Sequence, residues 1–150
     1  MESCNTANDS SDYWNKLLSD KSNPMINYAT YYSAAPGSTF KMVSATAALE
    51  EGIINLRTKT ECTGIFEVVT PSPKCWVYPR AHGSINVTTA IQRSCNYFFY
   101  DIGYKMSTLD GSYDAQTGLD TLEKYAAMYG LTEKSGVEIA ESTPHISTEL

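Results

Sequence analysis

Apolar residues return at helical spacing in several stretches of this chain, and at strand spacing almost nowhere. Trp14, Leu17 and Leu18 share one face of a helix predicted over residues 11–20, with the Ser11 hydroxyl as its cap. Residues 21–32 show no regular period and are broken at Pro24. The clearest pattern follows Pro36-Gly37, in STFKMVSATAALEEG. There Phe40, Val43 and Ala47 recur beside an Ala/Leu pair, Ser38 opens the run and Gly52 closes it. Such small side chains suit a helix set deep in a core, although Glu50 and Glu51 oppose its macrodipole. Residues 53–83 carry Pro71, Pro73 and Pro79 between short apolar runs, which predicts irregular chain with brief strands. Asn86 or Thr88 caps a further helix through Ile91; its pattern stops at Ser94-Cys95-Asn96 and resumes as YFFYDIGYKM. A polar loop over 107–117 leads to a last helix over 119–129, ended by Gly130. Four helices and little strand make the predicted fold mainly α with minor β.

Composition narrows the function. The chain has 150 residues, 42% of them hydrophobic, enough for one domain with a core. Eleven basic residues against 17 acidic ones leave a net charge of −6. That balance excludes a general nucleic-acid binder, which needs a basic face to displace counterions from phosphates. A polybasic membrane-surface module is excluded on the same ground. No apolar run is long enough to span a bilayer, and the N-terminal residues have neither a basic nor an apolar targeting region. No membrane contact and no targeting signal are therefore expected of this chain. The cysteines stand at 4, 62, 75 and 95, never as C-x-x-C, and the histidines are His82 and His145 alone. Short paired ligand spacings are missing, so no zinc site is expected. Cys62 and Cys75 flank one loop, and the residues leave open a disulfide or two separate buried thiols.

Two short motifs carry candidate chemistry. Ser38-Thr39-Phe40-Lys41 sets a hydroxyl and an amine one helical turn apart on one face. A serine hydroxyl is a weak nucleophile, and a lysine held close and partly desolvated can serve as its base. Ser94-Cys95-Asn96 places a second hydroxyl and a carboxamide at a break between helical stretches. The serine can pass a proton, and the carboxamide can hold a substrate amide by donor and acceptor. Neither motif is specific alone: S-x-N recurs at Ser3–Asn5 and Ser84–Asn86.

Order along the chain adds specificity. YYSAAPGSTFKMVSATAALEEGII resembles the region around the active serine of the penicillin-binding proteins, the peptidoglycan D,D-transpeptidases. YWNKLLSDKSNPMINYAT before it resembles the lead-in. CTGIF, KCW, His82-Gly83 and INVTTAIQRSCNYFFYDIG resemble the stretch carrying S-x-N, and GLDTLEKYAAMYGLTEKSGVEIAES the helix and glycine turn that follow. The likeness runs from about Tyr13 to Ser142 and is nearest the monofunctional, class B proteins. It implies Ser38 as acylated nucleophile, Lys41 as general base, Ser94 as proton relay and Asn96 as a contact for substrate and β-lactam. It implies acyl transfer from a D-Ala-D-Ala stem peptide with no metal or organic cofactor, other cell-wall synthesis proteins as partners, and a site outside the cytoplasmic membrane.

The family's third motif, K-[TS]-G, lies on a strand beside the nucleophile and supplies an oxyanion donor. Lys134-Ser135-Gly136 matches its letters but comes too soon after Ser94, where the family has a similar turn, so it is read as a decoy. The resemblance thus implies part of a transpeptidase domain, residues 1–150, without membrane anchor, pedestal or most of the central sheet. Activity of such a part is expected to be weak or absent. Apolar surface on the Ser38 helix and on Tyr97–Tyr100 is expected to drive self-association. Rival readings are a β-lactam sensor, a serine β-lactamase, or a non-catalytic interaction module of the cell-wall machinery. His82 is read as a structural histidine and Trp76 as a residue of the cleft mouth or the core. Cys95 is read as a position that any small residue fills.

Overall fold

A computed structural model describes residues 7–146, which divide into two units. The first unit joins the chain up to Ala34 with Gly136–Thr143. Its helix α1 spans Ala7–Ser19, so Ser11 lies inside the helix rather than at its cap. Of the predicted apolar face, Leu17 is half-buried, while Trp14 and Leu18 are exposed. One turn, α2 (Tyr28–Tyr31), follows where no period was legible; the Asn27 side chain caps it by accepting from the Ala29 N–H. A single turn is too short to leave a 3.6-residue signature. The Ser142 N–H donates to the Thr30 carbonyl at 2.8 Å and ties the late segment to this unit.

The second unit, Ala35–Ser135 with the chain from Pro144 on, holds the main core. A 3-10 turn, Gly37–Phe40, runs directly into α3 (Lys41–Glu50). Strands β1 (Lys59–Cys62) and β2 (Gly83–Asn86) pair antiparallel, with Cys62 opposite Gly83 and Lys59 opposite Asn86. Helix α4 (Val87–Gln92) is capped by Asn86, whose side chain accepts from the Thr89 N–H; Thr88 lies within the helix. Helix α5 spans Asn96–Met106 and α6 spans Ala115–Met128. The start of α6 precedes the predicted one because Asp114, read as part of a polar loop, is its cap.

Helix α3 is the hub, packing on α4, α5 and α6. Ala47 and Ala48 are completely enclosed and Ala45 nearly so. Alanine favours the helix, and its short side chain lets α3 approach Phe98 and Ile102 of α5 and Ala126 of α6 in one core. The acidic end of α3 is put to use: the Glu51 carboxylate accepts from Lys124 Nζ at 2.6 Å and from the Tyr125 hydroxyl at 3.0 Å. The Lys124 bond first, then the Tyr125 bond, holds the Glu51 carboxyl below the usual range. Gly118, inside α6, marks a close approach, since a Cβ there would collide with the Ser107 hydroxyl.

The predicted exposure of Tyr97–Tyr100 needs correction. Phe98 is fully enclosed, and Tyr97, Phe99 and Tyr100 are partly buried. They pack inward because α5 lies against α3, α4, α6 and β1. No helix among the described residues is long and apolar enough to cross a membrane.

Candidate active site

Gly37 adopts φ +57°, a left-handed conformation that glycine takes at no steric cost, and turns the chain into the 3-10 segment. Ser38 lies in that segment, exposed, and Lys41 opens α3 one turn later with its side chain partly buried. The Lys41 ammonium has three donors and uses all of them. Nζ donates to the Ser94 carbonyl at 2.9 Å, to Ser94 Oγ at 3.0 Å and to Asn96 Oδ1 at 2.6 Å. Ser94 Oγ in turn donates to Ser38 Oγ at 3.0 Å. All four candidate residues therefore come together, with Ser94 standing between the lysine and the exposed serine.

The surroundings of Lys41 favour its neutral form. Burial lowers its pKa, and the neighbouring Cys75 and Cys95 sulfurs oppose that shift in part. The Phe99 ring lies 5.4 Å from Nζ. Tyr100 engages the Asn96 side chain, and burial raises the pKa of its phenol.

Local backbone fixes Ser94 in an uncommon conformation. Helix α4 ends in a Schellman arrangement: the Ser94 N–H donates to the Ile91 carbonyl at 3.0 Å, and the Cys95 N–H to the Ala90 carbonyl at 2.9 Å. Such an ending needs one left-handed residue, commonly glycine, and Gly130 with φ +71° fills that place after α6. After α4 the residue is Ser94, with φ +49°. A non-glycine residue there costs about 1–2 kcal/mol. The strain sits at the residue whose hydroxyl lies between Lys41 and Ser38, and such strained residues cluster at functional sites.

Beside this line lies a group of side chains that the spacing argument overlooked. Cys62, Cys75, His82 and Cys95 bring their sulfur and ring-nitrogen atoms within 4.8 Å of one another. They come from the end of β1, the loop before β2 and the junction of α4 and α5, so no short spacing announced them. A Cys62–Cys75 disulfide is not formed; both are free thiols, as is Cys95. Burial pushes the Cys95 thiol up to about 12. Burial also raises Cys75, but backbone N–H groups of Tyr97, Val77 and Asn96 outweigh it and leave that thiol below its usual value. The pKa of His82 is lowered by burial first and then by Arg93 and Lys41, which favours the neutral ring. Cys95 thus has a specific setting.

Trp76 is exposed at the mouth of a cleft with Arg80, His82, Arg93 and Ser94, and its indole N–H donates to the Arg93 carbonyl at 3.1 Å. Lys134-Ser135-Gly136 follows α6 as exposed, irregular chain. It is not in the β1–β2 ladder, which is the only sheet among the described residues.

Comparison with known proteins bears on this arrangement. The family model described as the penicillin binding protein transpeptidase domain matches residues 2–149. The peptidoglycan D,D-transpeptidase MrdA of Escherichia coli (strain K12) is 29% identical over 133 residues, covering 88% of this chain and 19% of the relative. The chain therefore spans about a fifth of the length of the curated relatives it matches. Penicillin-Binding Protein (PBP2) from Helicobacter pylori superposes with a TM-score of 0.74 at 28% identity, covering 88% of this chain and 23% of that one. The same values hold for the H. pylori complex between PBP2 and MreC.

Proposed function

Because the chain belongs to the penicillin-binding protein transpeptidase family, we propose that it carries the acyl-transfer centre of a peptidoglycan D,D-transpeptidase, with Ser38 as nucleophile. The observation that carries this reading is the hydrogen-bonded line from partly buried Lys41 through Ser94 to exposed Ser38.

Ser38 Oγ attacks the carbonyl carbon between the two D-alanines of a stem peptide. Its proton passes to Ser94 Oγ while the Ser94 proton passes to the unprotonated form of Lys41, which its lowered pKa favours, so the line gains one positive charge as the tetrahedral oxygen gains a negative one. The Ser38 N–H, near the start of the 3-10 turn, donates to the developing oxyanion. As the C–N bond breaks, the lysine proton returns through Ser94 to the departing amine, leaving an ester on Ser38. An amine of a second stem then attacks that ester; its proton passes through Lys41 and Ser94 to Ser38 Oγ as the ester C–O bond breaks, so the cross-link forms and the Ser38 hydroxyl is restored. Lys41 holds Asn96 by its oxygen, which orients the carboxamide N–H groups toward Tyr100 and the substrate amide. A β-lactam enters the same steps, its ring amide taking the place of the peptide.

The reading places the parent protein outside the cytoplasmic membrane, where nascent peptidoglycan lies. Other cell-wall proteins are its expected partners, as MreC is for the H. pylori protein. Lys134-Ser135-Gly136 is kept as a decoy, a reading supported by its irregular backbone. One oxyanion donor is then missing among the described residues, and losing one such donor costs about 10²–10³ in rate.

Intact-mass analysis after incubation with a penicillin tests the proposal. A slow adduct of one penicillin per chain is expected on the wild type and none on Ser38→Ala. An adduct that persists in Ser38→Ala, or none on a folded wild type after prolonged incubation, overturns it.

A further inference from the structure

We propose that the cleft beside Ser94, lined by Trp76, Arg80 and Arg93, receives the amine of the second stem and recognises a carboxylate carried next to that amine. It rests on the acyl transfer proposed above, and the path of the proton gives its location. In acylation the departing amine takes its proton from Ser94, so it leaves beside Ser94. The attacking amine makes a new C–N bond at the same carbonyl carbon and enters from the same side. Its lone pair forms that bond, the ester C–O bond to Ser38 breaks, and its proton reaches Ser38 Oγ by way of Lys41 and Ser94. A cleft of about 500 Å³ opens on Ser94, with Trp76, Arg80, His82, Gln92 and Arg93 around it. That volume suits a small ligand or one end of a peptide.

The charge of this cleft runs against that of the chain. Acidic residues outnumber basic ones 17 to 11, and three of the basic residues are arginines, at 57, 80 and 93. Two of those three, Arg80 and Arg93, line the cleft, and both are exposed. Among the described residues neither has a carboxylate as an ion-pair partner. Arg93 uses one N–H on the His82 carbonyl, at 3.4 Å. A guanidinium carries five such donors in a planar fork that matches the two oxygens of a carboxylate, so donors remain for an anion. Trp76 supplies an apolar wall. Its indole N–H is fixed on the Arg93 carbonyl at 3.1 Å, and its ring meets His82 edge-on with centroids 5.6 Å apart. The residue is nevertheless 62% exposed. A large ring held this way without being covered offers contact to a peptide passing over it.

The same charges select the form of the amine. Guanidinium groups beside an ammonium disfavour its charged state, and the uncharged amine is the form whose lone pair attacks. A plain alkylammonium is therefore repelled by the cleft. An amine whose neighbouring carbon bears a carboxylate is held there by that carboxylate. The ligand class is an amino-carboxylate, the head of an amino acid, at the free end of a peptide or side chain.

NMR titration with D-alanine and with D-alaninamide, which lacks the carboxylate, tests the cleft without reference to activity. The chain carries Ser38→Ala, so nothing is acylated, and Trp14→Phe, so the remaining indole N–H signal belongs to Trp76. D-alanine is expected to shift that signal saturably, and D-alaninamide to bind about fivefold or more weakly. Arg80→Gln and Arg93→Gln should each weaken D-alanine binding by about the same factor. Arg57→Gln removes an equal charge outside the cleft and is expected to leave binding unchanged. Equal affinity for the two probes overturns the carboxylate site, and so does full affinity in both cleft variants. The acceptor role is read on the penicillin adduct of the Trp14→Phe chain, whose Ser38 is occupied. D-alanine is expected still to bind there, because the acceptor arrives once the acyl group is in place. Loss of binding on acylation overturns that role. A folded chain that penicillin fails to acylate removes the acceptor role together with the reaction, while the titration on Ser38→Ala still decides the carboxylate site.

Discussion

Ser94 works against its own backbone. At φ +49° it occupies the place that glycine fills after α6, and it does so while bridging Lys41 and Ser38. Two substitutions separate these roles. Ser94→Gly is expected to be more stable than Ser94→Ala by about 1 kcal/mol, because glycine has no left-handed penalty. Both are expected to lose about 10²-fold or more in acylation rate, since the relay oxygen is gone. Urea melts beside penicillin-adduct kinetics check this; equal stability would deny the strain. Lys41 gives a second residue-scale outcome. Burial lowers its pKa, so its neutral fraction grows at pH values below the ordinary lysine range. Acylation is expected to rise with pH to a plateau whose midpoint lies below 10.5. Lys41→Arg should flatten the rise, because a guanidinium stays charged throughout. A wild-type midpoint at or above the ordinary lysine value would contradict the assignment of Lys41 as base.

Helices α3 and α6 hold the frame on which those residues stand. Glycine inside a helix normally costs about 1 kcal/mol against alanine. Gly118 reverses that expectation because the Ser107 hydroxyl occupies the space a Cβ needs. Gly118→Ala is expected to lower stability by about 1–3 kcal/mol through overpacking, measured as a fall in Tm. A rise in Tm would mean that α6 and the end of α5 separate freely. The same elements show what the sequence could convey. The alanine-rich run after Pro36-Gly37 announced α3, and Gly130 announced the end of α6. Asp114 was legible only as a polar loop residue, because a cap is recognised by the N–H groups it meets. Ser11 offered a cap letter without becoming one, since α1 had begun at Ala7. At the site, Ser38 and Lys41 stood one helical turn apart, a spacing that is not specific alone and that only the order of segments along the chain made a candidate. Ser94 and Asn96 were placed by their order along the chain. The thiol and imidazole group was not readable, because its members converge only when β1, β2 and the α4–α5 junction are assembled.

In the second unit taken whole, one outer face remains apolar. Met42 is 55% exposed, Met128 73% and Tyr129 53%, around a 2.9 Å hydrogen bond between Thr46 Oγ1 and the Tyr129 hydroxyl. The chain is expected to self-associate through this face, not through the enclosed Tyr97–Tyr100 stretch. Light scattering should give a mass that climbs with concentration and falls to the monomer value in Met128→Asp. A constant monomer mass would remove the expectation. A last consequence follows from Ala47 and Ala48, which have no exposed surface at all. They set the distance between α3 and its neighbours by contact of the smallest available side chains, and Lys41 and Ser38 extend from that same helix. The Ser38 oxygen, the proposed nucleophile, is therefore gauged from the interior outward. A single added methyl behind it would alter the spacing of the whole proton line, although no atom of the line itself had changed.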